Sequence, residues 1–162
     1  MTAIHHVAII GGGIMGGDIA TIFAASQWRV HVMSPSQKTR EALTPRLNAG
    51  LKKLNAAPEC AKNVTTYACL EDIAWASIDL VVEAVTEDLA LKQKLFAQLE
   101  TLTRPDTPIV TNTSNYQIGA VTKGLKTASR MAELHFFMPA HLVPLVEVVS
   151  AATTDVKVAE HL

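Results

Sequence analysis

The chain has 162 residues, 49% of them hydrophobic, 18% charged and 5% aromatic, with a formal net charge of −1. That length bounds the fold to one domain with a sizeable core, and the apolar content suits a parallel sheet covered by helices. The near-neutral charge and the lack of a basic run argue against nucleic acid as a partner, and no apolar stretch approaches the ~18 residues that suggest a membrane span.

Met1 to Ile10 is too short, and too soon followed by glycines, to read as a signal peptide. Ile4 to Ile10 reads as a first strand, with Val7 to Ile10 as its buried run. Gly11-Gly12-Gly13-Ile14-Met15-Gly16 breaks it, and a helix follows, with Ile14, Met15, Ile19, Ile22 and Phe23 at helical spacing. A GxGxxG turn between strand and helix is the dinucleotide-binding context. Gly11 permits the tight turn, Gly13 lets the backbone approach a pyrophosphate, and Gly16 lets helix pack on strand. The helix start at Ile14 and Met15 offers free N–H groups and a favourable dipole to phosphate. Asp18 follows closely, and repulsion from a pyrophosphate predicts that it points sideways or into solvent.

Trp28 to Met33 reads as the second strand. An acidic residue at its end would select NAD through the adenine ribose, but Ser34 stands there. A hydroxyl with Arg29, Lys38 or Arg40 nearby suits a 2′-phosphate, so NAD is the expected cofactor and NADP the alternative. Ser34-Pro35-Ser36 starts a helix or helix pair from Gln37 to Asn55. Cys60 and Cys69 lack metal-site spacing and read as free thiols, with the cytoplasm as the expected compartment. Val64 to Tyr67 is a short strand, Leu70 to Trp75 a helical turn, and Ile78 to Val82 a buried strand. Asp88 to Leu102 is a helix striped by Leu91, Leu95 and Leu99. Further strands are expected at Pro108 to Thr111, Met131 to His135 and Leu145 to Val149. Thr154 or Asp155 would cap a final helix in which the chain stops. This alternation predicts an α/β fold, a Rossmann-type doubly wound, mostly parallel sheet flanked by helices, spanning 1–162 as one dinucleotide-binding domain.

Ligands of such sheets gather at the C-terminal strand ends. Those ends carry Glu83, Glu87 and Lys92, then Thr111 to Asn115, then His135 with Glu147 twelve residues on. A His–Glu pair suits alcohol oxidation, because the imidazole accepts the hydroxyl proton while the carboxylate holds the other ring N–H. Glu147 is enclosed in sequence by Leu145, Val146, Val148 and Val149, so it is expected to need a partner. The plain alternative is a half-buried strand-end His135 with a solvated Glu147, and His141 is a competing partner or base. His5, His6 and His31 read as structural.

Four segments together resemble the 3-hydroxyacyl-CoA dehydrogenase family: GGGIMGGDIA (11–20), VVEAVTEDLALKQKLF (81–96), TNTSNYQI (111–118) and HFFMPAHLVPLVEVV (135–149). The resemblance implies NAD-dependent oxidation of the L-3-hydroxyl of an acyl-CoA in fatty acid metabolism. It makes His135 the base, Glu147 its orienting partner and Ser114 a hydrogen-bonding group for the substrate oxygen. It puts Glu87 and Lys92 beside the nicotinamide and its ribose, Glu83 and Ala84 on the loop over the cofactor, and Asn112 among the cofactor contacts. It also implies an all-helical C-terminal domain that completes the acyl site and forms most of a homodimer, so that Ile14 to Ile19 and Leu142 to Leu145 would expose apolar surface without it. Ser34, Asp18 and Met138 depart from the family pattern, Met138 replacing the usual Asn of HFFNP. The Leu142 to Leu145 run is also similar to dehydrogenases of free hydroxy acids, L-gulonate and L-carnitine among them. A cofactor-binding module without turnover of its own is the third expectation.

Overall fold

The computed structural model describes residues 4–162. Seven strands form one sheet: β1 (His6–Ile10), β2 (Arg29–Met33), β3 (Val64–Tyr67), β4 (Leu80–Glu83), β5 (Ile109–Thr111), β6 (Met131–Phe136) and β7 (Val146–Val149), in the order β3-β2-β1-β4-β5-β6-β7. β1 to β6 are parallel, and β7 returns antiparallel to β6. The helices are α1 (Ile14–Ala25), α2 (Gln37–Lys53), α3 (Leu89–Leu102), α4 (Ile118–Val121) and α5 (Val156–His161). The sheet order is that of a doubly wound dinucleotide fold.

The local reasons are readable. Val7 to Ile10 are wholly buried, as a central parallel strand covered on both faces requires. On one face Ile19, Ala20, Ala24, Leu43 and Leu47 pack on Val7, Ile9, Val30 and Val32. On the other, Leu95, Phe96 and Leu99 pack with Ala8, Ile10 and Val81. The expected helix over Gln37 to Asn55 is one helix that continues through Pro45. Ser36 caps α2 by accepting from the Thr39 amide at 3.2 Å, and Asp88 caps α3 by accepting from Leu91 at 2.9 Å. Asp155, rather than Thr154, caps α5. Thr154 instead donates to the Met131 carbonyl at 2.8 Å and ties the segment after β7 back to β6.

One expectation is narrowed and two need correction. Asp18 points sideways but not into solvent, because Arg46 of α2 reaches across to it and buries it. Ile14 is exposed as expected, but Ile19 is wholly buried in the sheet interface. Glu147 is not enclosed: every residue of β7 is exposed, since no element covers that edge strand. Both cysteines are free thiols, Cys60 buried and Cys69 exposed. Among the described residues no helix is long and apolar enough to cross a membrane, and no cluster of His, Cys, Asp or Glu could hold a metal.

Candidate active site

The glycine turn closes the C-terminal end of β1. Gly11 has φ +111°, and a Cβ there would collide with the Ala84 carbonyl. A Cβ on Gly16 would collide with the Gly11 carbonyl, so α1 packs directly on the turn. Gly13 differs: a Cβ built on it meets nothing within 4 Å. α1 also starts at Gly13 without the side-chain cap that α2, α3 and α5 possess. The N–H groups near Ile14 and Met15 are therefore left to whatever fills the space over Gly13. A cleft of about 520 Å³ continues from there past Gly11, Ser34, Thr39, Ala84 and Leu91 to Gln98. Leu91 thus leaves the buried stripe of α3 and lines the cleft, 44% exposed. These features fit a dinucleotide: an uncapped helix start open to a ligand, and a cleft that reaches Ser34 at the end of β2.

Of the cations near Ser34, Arg40 donates to the Ser34 carbonyl at 2.6 Å and the Pro35 carbonyl at 3.0 Å. Lys38 is exposed. Arg29 stands at the opposite end of β2 from Ser34, bonded to Asn63 at 3.2 Å.

Beyond the glycine turn lies a charged core. Glu83 is wholly buried at the end of β4, and Lys92 of α3 donates to its two oxygens at 2.8 and 3.0 Å. The same carboxylate accepts from Thr111 Oγ1 at 2.6 Å and from the Val85 amide at 2.7 Å. Glu83 therefore sits beneath the Ala84–Val85 loop and fixes it. Lys92 Nζ is also 3.5 Å from Glu87, whose other contacts are the Thr113 hydroxyl at 2.8 Å and the Ser114 amide at 3.3 Å. The Ser114 residue is exposed, and its hydroxyl has no hydrogen bond among the described residues. Asn112 joins the strands: its amide donates to the Glu83 carbonyl at 2.8 Å and its Oδ1 accepts from the Phe136 amide at 2.8 Å.

His135 and Glu147 are register partners across the β6–β7 pair. His135 Nδ1 lies 3.0 Å from Glu147 Oε2, with the imidazole 19% and the carboxylate 52% exposed. Phe137 leans on the imidazole at a centroid distance of 4.6 Å. A carboxylate only accepts, so Nδ1 is the donor in this contact, and Nε2 has no hydrogen bond among the described residues. His141 joins neither residue; it faces Asp18 instead.

Glu133 escaped the sequence reading. It shares the His135 face of β6, two residues earlier, and burial pushes its carboxyl upward, helped by Glu147 and Glu87 and opposed by His135. It lines a second cleft of about 480 Å³ with Ser114, Tyr116, Gln117 and Ser150. The period-two alternation back from His135 is the signal that would have found it.

The model for the family "3-hydroxyacyl-CoA dehydrogenase, NAD binding domain" matches residues 6–162. The chain belongs to this family. Among curated relatives, the 3-hydroxyadipyl-CoA dehydrogenase of Escherichia coli K12 is 38% identical over 171 residues, covering 100% of this chain and 35% of the relative. The human mitochondrial hydroxyacyl-coenzyme A dehydrogenase is 34% identical, over 98% of this chain and 54% of its own length. The crystal structure of 3-hydroxybutyryl-CoA dehydrogenase from E. coli K12 superposes with a TM-score of 0.88 at 35% identity, over 98% of this chain and 35% of that one. The chain thus spans between about a third and a half of the family members named here. The family has an NAD-binding domain, as the glycine turn implied.

The cytoplasmic expectation is overturned. Family relatives are named as mitochondrial or peroxisomal proteins. Free thiols and the absence of a span are physically as compatible with those reducing interiors as with the cytoplasm, so they did not discriminate.

Proposed function

We propose that the protein carrying this chain is an oxidoreductase that moves a hydride between the 3-hydroxyl carbon of an L-3-hydroxyacyl-CoA and NAD. The 3.0 Å contact between His135 and Glu147 carries this reading, together with family relatives named for acyl-CoA dehydrogenation. Bound nicotinamide supplies the hydride acceptor. His135 Nε2 takes the hydroxyl proton as the hydride leaves the same carbon, and Glu147 stabilises the resulting imidazolium. The free Ser114 hydroxyl donates to the substrate oxygen. Glu87 and Lys92 would lie on the nicotinamide side, where hydrogen bonds to Glu83 hold Lys92 in place. NAD is favoured over NADP because Arg40 is engaged on main-chain carbonyls and Arg29 stands at the wrong end of its strand. The exposed side chains of Ile14, Leu142 and Leu145 are the surface that a helical substrate and dimerisation domain would cover.

The Leu142–Leu145 run, with Leu142 and Leu145 exposed, supports a second substrate class, free 3-hydroxy acids, and Met138, exposed three residues after His135, departs from the acyl-CoA pattern. Met138 removes the polar group that acyl-CoA enzymes of the resemblance place there.

The test is turnover of acetoacetyl-CoA with NADH, and of L-gulonate and L-carnitine with NAD. Acetoacetyl-CoA should react best. His135→Gln should lower kcat by about 10³-fold with the NAD dissociation constant within about twofold. Unchanged activity in that variant removes His135 from its role. A preference for the free acids selects the second class, and no turnover with any leaves a cofactor-binding module. Much tighter binding of NADP than NAD overturns the cofactor assignment.

A further inference from the structure

Asp18 and His141 have no part in the chemistry above, yet they are buried against each other. Their side chains are 3% and 7% exposed, and Asp18 Oδ2 lies 3.4 Å from His141 Nδ1. Asp18 Oδ1 accepts from Arg46 Nε at 3.0 Å. Gly17 leaves room for that crossing, since a Cβ on it would meet Arg46 Cδ at 2.8 Å. Neither ring nitrogen of His141 has a hydrogen bond among the described residues, so its polar partner is the Asp18 carboxylate. His141 also lines a largely apolar cleft with Ile22, Ala25, Phe136, Ala140 and Leu142. Packing alone favours an apolar pair in such a seam, because buried polar groups are costly without good partners.

The two residues sit on elements that must meet accurately. Asp18 belongs to α1, whose start faces the cofactor cleft. His141 belongs to the loop that joins β6 to β7, the hairpin that carries His135 and Glu147. Among the described residues theirs is the one close contact of a histidine with a carboxylate between that loop and α1. We propose that the Asp18–His141 contact, braced by Arg46, is a positioning device that sets the catalytic hairpin against the cofactor helix. It rests on His135 being the base. Its value is geometric: a misplacement of ~1 Å can cost ~100-fold in rate.

The experiment compares His141→Leu, which removes the polar contact with Asp18, with His141→Gln, which keeps a polar side chain there, in the protein carrying this chain. The Leu variant should lower kcat about tenfold, with substrate KM and NAD affinity within about twofold. The Gln variant should recover most of the loss, and Asp18→Asn with His141→Leu should be no slower than Asp18→Asn alone. Amide hydrogen exchange should quicken across Val146–Val149 in the Leu variant and stay unchanged in α1. That readout needs no turnover, so failure of the dehydrogenase reading leaves it decisive. Wild-type kcat and exchange in the Leu variant, equal damage by Gln and Leu, or additive losses in the double variant would overturn the proposal.

Discussion

Glu83 and Lys92 put a full ion pair where no water reaches, at 0% and 1% exposure. Such a pair is expensive to halve, because the remaining charge stays buried. Lys92→Met should therefore lower unfolding free energy by about 3–5 kcal/mol, while Glu83→Gln with Lys92→Met should recover much of it; urea unfolding of the variants checks both. A loss below about 1 kcal/mol for Lys92→Met would show that the pair does not support the loop. Glu83 and Lys92 could be named from sequence as residues near a strand end, but not their burial, which depends on Thr111 arriving from β5 to complete the carboxylate's bonds. His135 with Glu147 was legible for a different reason. Both lie on short apolar strands, and alternation limits which polar residues share a face. The premise behind Glu147 was still mistaken: it pairs in the open, on an edge strand. Asp18 and His141 lie far apart in sequence, with no common period to join them.

Elements with a strong apolar period were readable, and short ones were not. The buried runs of β1 and β4 and the long helices α2 and α3 stood out. α4, with 4 residues, and the 3₁₀ segment Pro58–Asn63 went unread, being too short to express a repeat. The strand at β7 was expected, but its direction was not, because direction depends on how a loop returns rather than on the strand's own residues. β2 carries a further consequence. His31 hydrogen-bonds His6 at 3.1 Å and Tyr67 at 3.0 Å across β1, β2 and β3. Burial, then the neighbouring His6, lowers the His31 pKa from its ordinary 6.5. The unfolded chain consequently takes up this proton more readily, so the stabilising contribution is complete above about pH 6.5 and declines as pH falls through the lowered folded value. The urea midpoint should drop between pH 7.5 and pH 5.5, and His31→Phe should shrink that drop. An equal drop in the variant would assign the effect to other groups.

At the scale of the whole molecule, cofactor binding and folding are linked through the glycine turn. A Cβ on Gly13 meets nothing within 4 Å, so Gly13→Ala should leave unfolding free energy within about 0.5 kcal/mol of the parent. The added methyl group occupies the space proposed for pyrophosphate. NAD at a hundred times its dissociation constant should stabilise the parent by about 2.7 kcal/mol and the variant hardly at all. Equal stabilisation by NAD in both, measured by urea unfolding, would move the pyrophosphate elsewhere. The antiparallel return of β7 reaches further, into how such a chain can change over generations. Side chains alternate along a strand, so shifting β7 by one residue against β6 would turn Glu147 away from His135 altogether. A single inserted residue within β7, ahead of Glu147, would separate base from partner while every strand of the cofactor platform stayed in place. Inheritance must therefore carry the length of β7 up to Glu147 unchanged.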